Sequence, residues 1–142
     1  MRYIGLDLGS RTLGVSLSDK TGLIASSYTI IRHNEEYERL VNDVKKIVEE
    51  NEVDKIVLGL PKNMNGTIGF KGELSYKFKE MLEKELKIEV ILEDERLTTV
   101  EANNLLIKND TSRKKRKKVV DSIAATIILQ SYLDKNKKEN KI

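Results

Sequence analysis

The spacing of the apolar residues changes near Asn34, and this change constrains the fold more than any other feature of the sequence. Before Asn34, short β-branched and apolar runs are separated by the turn-like segments Gly9–Arg11 and Asp19–Gly22. Short strands joined by tight turns predict a three-stranded antiparallel meander. Its strands are expected at Arg2–Leu8, Thr12–Asp19 and Leu23–Ile31.

After Asn34, helical and strand-like patterns alternate. Glu35–Glu50 carries an apolar stripe at helical spacing and is expected to form an amphipathic helix. Asp54–Leu60 contains a short apolar run, which is typical of a strand buried on both faces of a parallel sheet. Similar patterns predict a helix around Leu74–Leu86, a strand at Ile88–Leu92, a helix from Thr98 to about Asn109, and a last helix from about Val119 to Asp134.

This order of elements predicts an α/β fold with a mixed five-stranded sheet. The antiparallel meander would be joined by two strands parallel to the first, and about four helices would cover the faces. The 142 residues suffice for one core but are too few for two ordinary domains. We therefore expect a single domain over residues 1–134 and a polar tail over 135–142. Ligands of such sheets bind beyond the carboxyl ends of the strands.

The composition restricts the kind of metal site that is available. The chain has no cysteine and a single histidine, His33, which excludes disulfides and the usual nitrogen and sulfur zinc sites. Oxygen ligands remain, and they favour Mg²⁺ or Mn²⁺. His33 stands between a strand and a helix, away from every motif, and is expected at the surface. No apolar run approaches the roughly 18 residues of a membrane span, so a soluble cytoplasmic protein is expected.

Two acidic positions lie near the ends of predicted strands. Asp7 lies in an apolar strand, where a buried charge must be paired, hydrogen-bonded or bound to a cation. Capping of the adjacent turn is the alternative role. Glu95 belongs to an acidic cluster that could also be a solvated strand exit. Asp94 and Glu95 point in different directions on extended backbone, and we favour Glu95 for the site, with Asp94 as the substitute.

A third acid, Asp121, lies in the first turn of the predicted last helix. The helix macrodipole alone would stabilise an aspartate there. However, its helical face also carries Ala125 and Ile128, which directs Asp121 towards the sheet. Together Asp7, Glu95 and Asp121 predict a site for two divalent cations that activate water in phosphodiester hydrolysis.

The net charge of the chain is unevenly distributed. Residues 113–118 carry six positive charges, whereas the net charge of the whole chain is +3, so the remainder is mildly acidic. Such a basic segment predicts contact with a polyanion, and a solvated loop is the alternative. The run consists of Arg113, Lys114, Lys115, Arg116, Lys117 and Lys118.

Four segments, in order, resemble the motifs of the YqgF (RuvX) family. They are GLDLGSRTLGV at residues 5–15, GLPKNMNGT at 59–67, DERLTTVEA at 94–102 and VDSIAA at 120–125. The resemblance implies a ribonuclease H-like fold related to RuvC resolvases, and a nuclease that processes the 5′ end of precursor 16S rRNA. Resolution of Holliday junctions in branched DNA is the family's alternative activity.

The resemblance also implies that Asp7, Glu95 and Asp121 take the acidic catalytic positions. RuvC enzymes carry a further acid near the last of these, whereas this chain has Ser122 and Ala124 there. The implied site therefore has three carboxylates, and the number of tightly held metals is open. Residues expected to contact nucleic acid, in addition to the basic run, are Ser10, Arg11, Lys62, Asn63, Asn65 and Arg96.

Other functions remain to be weighed against a nuclease. Ser10 and Arg11 could merely close a hairpin, and Arg96 could pair with Asp94 rather than bind phosphate. The segment Asp7–Ser10 also resembles the first phosphate loop of actin-like and sugar-kinase ATPases, which enclose a nucleotide between two such domains. A catalytically silent RNA-binding assembly factor would keep the same fold. The protein is expected to act as a monomer or a homodimer.

Overall fold

The computed structural model describes residues 1–61, 69–94 and 113–139. Its five strands are β1 (Tyr3–Leu8), β2 (Thr12–Ser18), β3 (Ala25–Arg32), β4 (Lys55–Leu60) and β5 (Val90–Asp94). The helices within these ranges are α1 (Tyr37–Glu50), α2 (Phe70–Leu86) and α3 (Arg113–Glu139).

The strands form one mixed sheet in the order β3-β2-β1-β4-β5. β1 pairs antiparallel with β2, and β2 pairs antiparallel with β3. β1 pairs in parallel with β4, and β4 pairs in parallel with β5. The predicted meander and the two added parallel strands are confirmed. The strand order reverses at β1, so the carboxyl ends of β1 and β4 lie side by side at one edge.

Alternation of side chains along the strands gives the sheet two different faces. Ile4 and Leu6 of β1 belong to the larger core, together with apolar residues of α1 and α2. Tyr3 of β1 and Val57 of β4 lie on the other face and pack against α3. The apolar stripe predicted for α1 is confirmed, because its five members are all buried: Leu40, Val41, Val44, Ile47 and Val48.

Gly5 allows α3 to lie very close to β1. A Cβ atom at this position would stand 2.4 Å from Ser16 Oγ and 2.7 Å from Leu129 Cβ, distances that no real side chain tolerates. The Ser16 hydroxyl, which is fully buried, donates a hydrogen bond of 2.8 Å to the carbonyl of Ala125. This bond satisfies a buried hydroxyl and fixes the helix against the sheet.

The last helix is longer than the apolar pattern indicated. α3 begins at Arg113 rather than near Val119, so the basic run forms its first turns instead of a preceding loop. Arginine and lysine are good helix formers, and the run contains no glycine or proline to stop the helix. α3 also continues past Asp134 to Glu139, into the segment predicted as a tail. The helix predicted from Thr98 lies outside the described residues. No helix of the described ranges is long and apolar enough to cross a membrane.

Candidate active site at the carboxyl end of β1

Asp7 lies on the face of the sheet that α3 covers. Tyr3, Gly5 and Asp7 alternate onto that face, as shown by the Tyr3 ring at 5.7 Å from the Tyr132 ring and by the packing of Gly5 against Leu129. Asp7 is partly buried, and its partner on β2 is Gly14, which brings no side chain to this face. No side chain therefore projects from the β2 position directly opposite Asp7.

α3 runs antiparallel to β1, and its register leads towards Asp7. Tyr132 lies at Tyr3, while Leu129 and Ala125 both lie at Gly5. One helical turn before Ala125 is position 121, about 6 Å further along the axis. From Gly5 to Asp7 the strand advances by a similar distance, about 6.6 Å. The helix backbone thus advances towards the Asp7 end of β1; the side chain of Asp121 lies outside the described part.

The end of β5 separates two neighbouring acids onto opposite faces. Glu93 is buried on the α3 side, where its carboxylate accepts a hydrogen bond of 3.4 Å from Ser131 Oγ and forms an ion pair with Lys135. Asp94 alternates to the other face, the side of Val90 and Leu92, which pack with α1 and α2. The described geometry therefore puts Asp94, the substitute ligand predicted above, on the face opposite Asp7.

The prediction that His33 lies at the surface, far from the motifs, is wrong. His33 is only 6% exposed and contacts the turn that follows Asp7. Its backbone N–H donates to the carbonyl of Arg11 at 2.9 Å, and its Nε2 lies 3.0 Å from the carbonyl of Gly9. The sequence carried no periodic signal for this contact, because a residue between a strand and a helix belongs to neither pattern.

The exposed residues of this turn are Ser10 and Arg11. The Arg11 guanidinium hydrogen-bonds Asn34 Oδ1, so one of its donors is occupied by the protein itself. Arginine has five N–H donors, and the remaining ones allow contact with a phosphate. The predicted role of Arg11 in phosphate binding stays a prediction.

The segment after His33 carries two shifted titratable groups. The backbone N–H of Asn34 donates to Glu36 at 2.9 Å and, with help from Arg39, holds the pKa of that carboxyl below its ordinary value. Burial, reinforced by the negative charge of Glu35, raises the pKa of the Tyr37 hydroxyl. At neutral pH the Glu36 carboxyl is therefore ionised and the Tyr37 hydroxyl is neutral. The segment beside the turn is thus negatively charged at Glu36.

The other predicted site residues lie at the start of α3 or outside the described ranges. Residues 113–118 form the first turns of α3, and only their backbone is described. Among the described side chains, no three acidic, histidine or cysteine residues lie close enough to hold a metal ion. The predicted residues outside the described ranges are Lys62, Asn63, Asn65, Glu95 and Arg96.

Known proteins match this chain over nearly its whole length. Residues 1–135 match the model of a family described as RuvX, Holliday junction resolvase. A "Putative pre-16S rRNA nuclease" of Bacillus cytotoxicus is 54% identical over 135 residues, which cover 94% of this chain and 98% of the relative. A protein of the same name from Clostridium beijerinckii is 50% identical over 134 residues, covering 94% of this chain and 96% of the relative.

Similar folds occur among solved structures. The Thermus thermophilus RuvC structure has a TM-score of 0.59 and 12% sequence identity, and the match covers 97% of each chain. RuvC from the same organism in complex with a Holliday junction substrate has a TM-score of 0.60 at 12% identity, covering 97% of this chain and 96% of that one. At this identity the likeness shows a RuvC-like fold and nothing more.

Proposed function

This chain belongs to the RuvX family, and on that basis we propose that it is a metal-dependent nuclease that processes the 5′ end of precursor 16S rRNA. Two relatives that are at least 50% identical over nearly their whole length are named for that substrate. The observation that carries the proposal is the register of α3 on β1, which advances position 121 towards the Asp7 end of the strand.

Alternation along β5 supports our choice of the third carboxylate. Glu93 faces α3, and Asp94 faces the opposite core. Continued alternation over one more residue favours Glu95 over Asp94 as the partner of Asp7 and Asp121. The acidic set would then combine one residue each from the end of β1, the end of β5 and the start of α3.

These carboxylates suit a hard divalent cation. Carboxylate oxygens are the ligands that Mg²⁺ and Mn²⁺ prefer, and the chain offers no thiol and no second histidine to compete. When bound, two such cations would activate water and neutralise charge on the scissile phosphate. Asp7, Glu95 and Asp121 would hold them.

The remaining predicted residues would position the RNA. Ser10 and Arg11 lie on the exposed turn that follows Asp7 and could donate hydrogen bonds to a phosphate. Lys62, Asn63, Asn65 and Arg96 follow β4 and β5, whose carboxyl ends meet the same edge of the sheet as β1. The first turns of α3 would contact the RNA backbone through Arg113–Lys118, without reading its sequence.

The test of the proposal compares acidic variants on opposite faces of the sheet. We expect wild-type protein to cleave an end-labelled precursor 16S rRNA leader in Mg²⁺ or Mn²⁺. Asp7→Asn, Glu95→Gln and Asp121→Asn should reduce cleavage to background while circular dichroism shows an intact fold. Asp94→Asn is the matched control, because it removes a neighbouring charge on the other face, and it should retain cleavage.

The same assay separates the alternatives. Equal trace activity in wild type and Asp7→Asn would mean contamination and would contradict the nuclease. Cleavage of a four-way DNA junction in preference to the RNA leader would instead favour a resolvase. RNA binding without Asp7-dependent cleavage of either substrate would favour an assembly factor, and ATP turnover would favour the kinase-like alternative.

A further inference from the structure

Three hydrogen bonds hold the turn that follows Asp7. The Gly9 N–H donates to the carbonyl of Thr12 at 2.8 Å and closes the hairpin between β1 and β2. His33 supplies the other two bonds, from its backbone N–H to the Arg11 carbonyl and from its ring to the Gly9 carbonyl. One buried side chain thus joins the start of α1 to the loop of the candidate site.

The hydrogen bonds around the ring define its protonation. The backbone N–H of Glu35 donates to His33 Nδ1 at 3.0 Å, so Nδ1 must be an unprotonated acceptor. The Gly9 carbonyl can only accept, so Nε2, at 3.0 Å, must carry the proton and donate. Both partners are satisfied only by the neutral ring protonated on Nε2.

The backbone is strained at Glu35, the residue that donates to His33 Nδ1. Glu35 has φ of +68°, a left-handed conformation that is unfavourable for a residue other than glycine. The N–H of this same residue donates to His33 Nδ1. The His33 ring also packs against the Tyr37 ring at 6.0 Å, and Tyr37 packs against Phe78 of α2 at 6.4 Å. The His33 ring is therefore packed against the apolar core between the sheet and the helices.

We propose that His33 is a positioning residue of the acidic site. In its neutral Nε2–H form it fixes the Gly9–Thr12 turn and, through it, the end of β1 that carries Asp7. Asp7 pairs with Gly14 and Leu8 with Leu13, directly beside the turn, so a loose turn would let this end of the hairpin fray. The inference rests on the proposed function, because it assigns His33 a role in the metal affinity of Asp7.

Two isosteric substitutions separate the two ring contacts. In His33→Gln the side-chain amide can reach the Gly9 carbonyl as Nε2 does. In His33→Asn the shorter side chain can accept from the Glu35 N–H as Nδ1 does, but it cannot reach Gly9. Full-length wild type, both variants and Asp7→Asn are compared by Mn²⁺ titration, amide hydrogen exchange at Gly9 and thermal unfolding.

We expect His33→Gln to keep slow exchange at Gly9 and wild-type affinity for Mn²⁺. His33→Asn should exchange Gly9 faster and bind Mn²⁺ about 10-fold more weakly, the lower end of what lost outer-shell partners cost. In the wild type, the ¹⁵N spectrum of the ring should show protonated Nε2 and an unprotonated, hydrogen-bonded Nδ1. A purely structural role predicts instead that Mn²⁺ affinity follows the melting temperature in both variants.

The outcomes distinguish failure of this inference from failure of the proposed function. Mn²⁺ binding that depends on Asp7 could be unchanged in His33→Asn, or weakened equally in both His33 variants. Either result would overturn the role of His33 but not the proposed metal site. Mn²⁺ binding that is unaffected by Asp7→Asn would overturn the metal site and the inference with it. Loss of Asp7-dependent Mn²⁺ affinity in His33→Asn alone supports the inference, even if the RNA leader proves to be the wrong substrate.

Discussion

At the scale of single residues, Gly5 decides how closely α3 meets the sheet. The nearest atoms to a Cβ at this position would be Ser16 Oγ, Leu129 Cβ and, at 3.0 Å, the Ala125 carbonyl. Two of these belong to α3, so any side chain at position 5 pushes the helix away from β1. Position 121 would move with the helix, away from Asp7.

Gly5→Ala should therefore cost both stability and activity. Forcing an extra methyl group into a packed site costs about 1–3 kcal/mol. We expect the midpoint of urea unfolding to fall, and cleavage of the RNA leader to fall further than the loss of folded protein explains. An alanine variant with the wild-type midpoint and activity would show that α3 is not held as closely as the contacts require.

Asp19 shows a carboxylate with a purely local role. It accepts hydrogen bonds from the Thr21 hydroxyl and from the backbone N–H groups of Leu23 and Ile24, the latter two at 2.9 and 3.1 Å. The Thr21 hydroxyl, followed by the backbone donors, holds the pKa of Asp19 far below its usual range. The carboxylate closes the turn between β2 and β3.

The contribution of Asp19 to the unfolding free energy should decrease as the pH falls. A depressed pKa in the folded state adds stability above the ordinary value of 3.8, and this is lost as the pH falls towards the folded pKa. The difference in unfolding free energy between wild type and Asp19→Ala should thus be largest near neutral pH and shrink below 3.8. Thr21→Val should move this loss to higher pH; a difference that is independent of pH would contradict the role of the charge.

At the scale of elements, the first turns of α3 combine features that do not favour an isolated helix. Six cationic residues occupy its amino-terminal end, where the helix macrodipole favours anions, and the first turn contains no acid. Like charges three and four residues apart also repel each other. A polyanion would remove both penalties, so RNA binding should stabilise the segment that leads to Asp121.

Matched lysine substitutions test this element. Changing Lys114, Lys115 and Lys117 to serine removes up to three phosphate contacts, so the slope of log affinity against log salt should fall by about 2. The control changes three exposed lysines on the other helices to serine, with no effect expected on the slope: Lys46, Lys77 and Lys84. Equal effects of the two sets would mean that only net charge matters and that α3 has no special contact.

At the scale of the whole molecule, α3 joins both edges of the sheet. At the β3 edge, the Gln130 amide accepts from Ala25 N at 2.8 Å and donates to the Leu23 carbonyl at 3.0 Å. At the β5 edge, Ser131 and Lys135 contact the buried carboxylate of Glu93. The helix therefore fixes the two outer strands relative to β1, and the end of β5 is the segment that leads to Glu95.

Removing Lys135 from its ion pair with Glu93 should lower the stability of the fold more than removing Glu93 would. Lys135→Ala leaves a carboxylate that is 6% exposed beside the Ser131 hydroxyl, whereas the lysine itself is 62% exposed and well solvated. We expect Lys135→Ala to lower the unfolding free energy by about 1–2 kcal/mol, less than for a fully buried pair because solvent screens the lysine. Adding Glu93→Gln should recover part of this loss; a double variant that is less stable than Lys135→Ala would contradict the explanation.

Much of the fold follows from local patterns in the sequence. Alternation and helical spacing act within a few residues, so they are visible in the sequence. They predicted the apolar strand that ends at Leu60, the apolar stripe of α1 and the parallel pairing of β4 and β5. The motifs around Asp7 and Asp121 likewise indicated the RuvX family before any contact was known. The start of α3 was missed, because a run of cations has no apolar period to reveal a helix.

What depended on the tertiary structure is how distant segments meet. Glycine at position 5 is visible in the sequence, but its contact with Leu129 and Ala125 exists only once α3 crosses β1. The burial of His33 and its bond to Gly9 join residues 24 positions apart, and no local pattern encodes such a pair. Local periodicity thus determined which residues form strands and helices around Asp7. Packing over long sequence distances decided which side chains hold its turn and which helix approaches it.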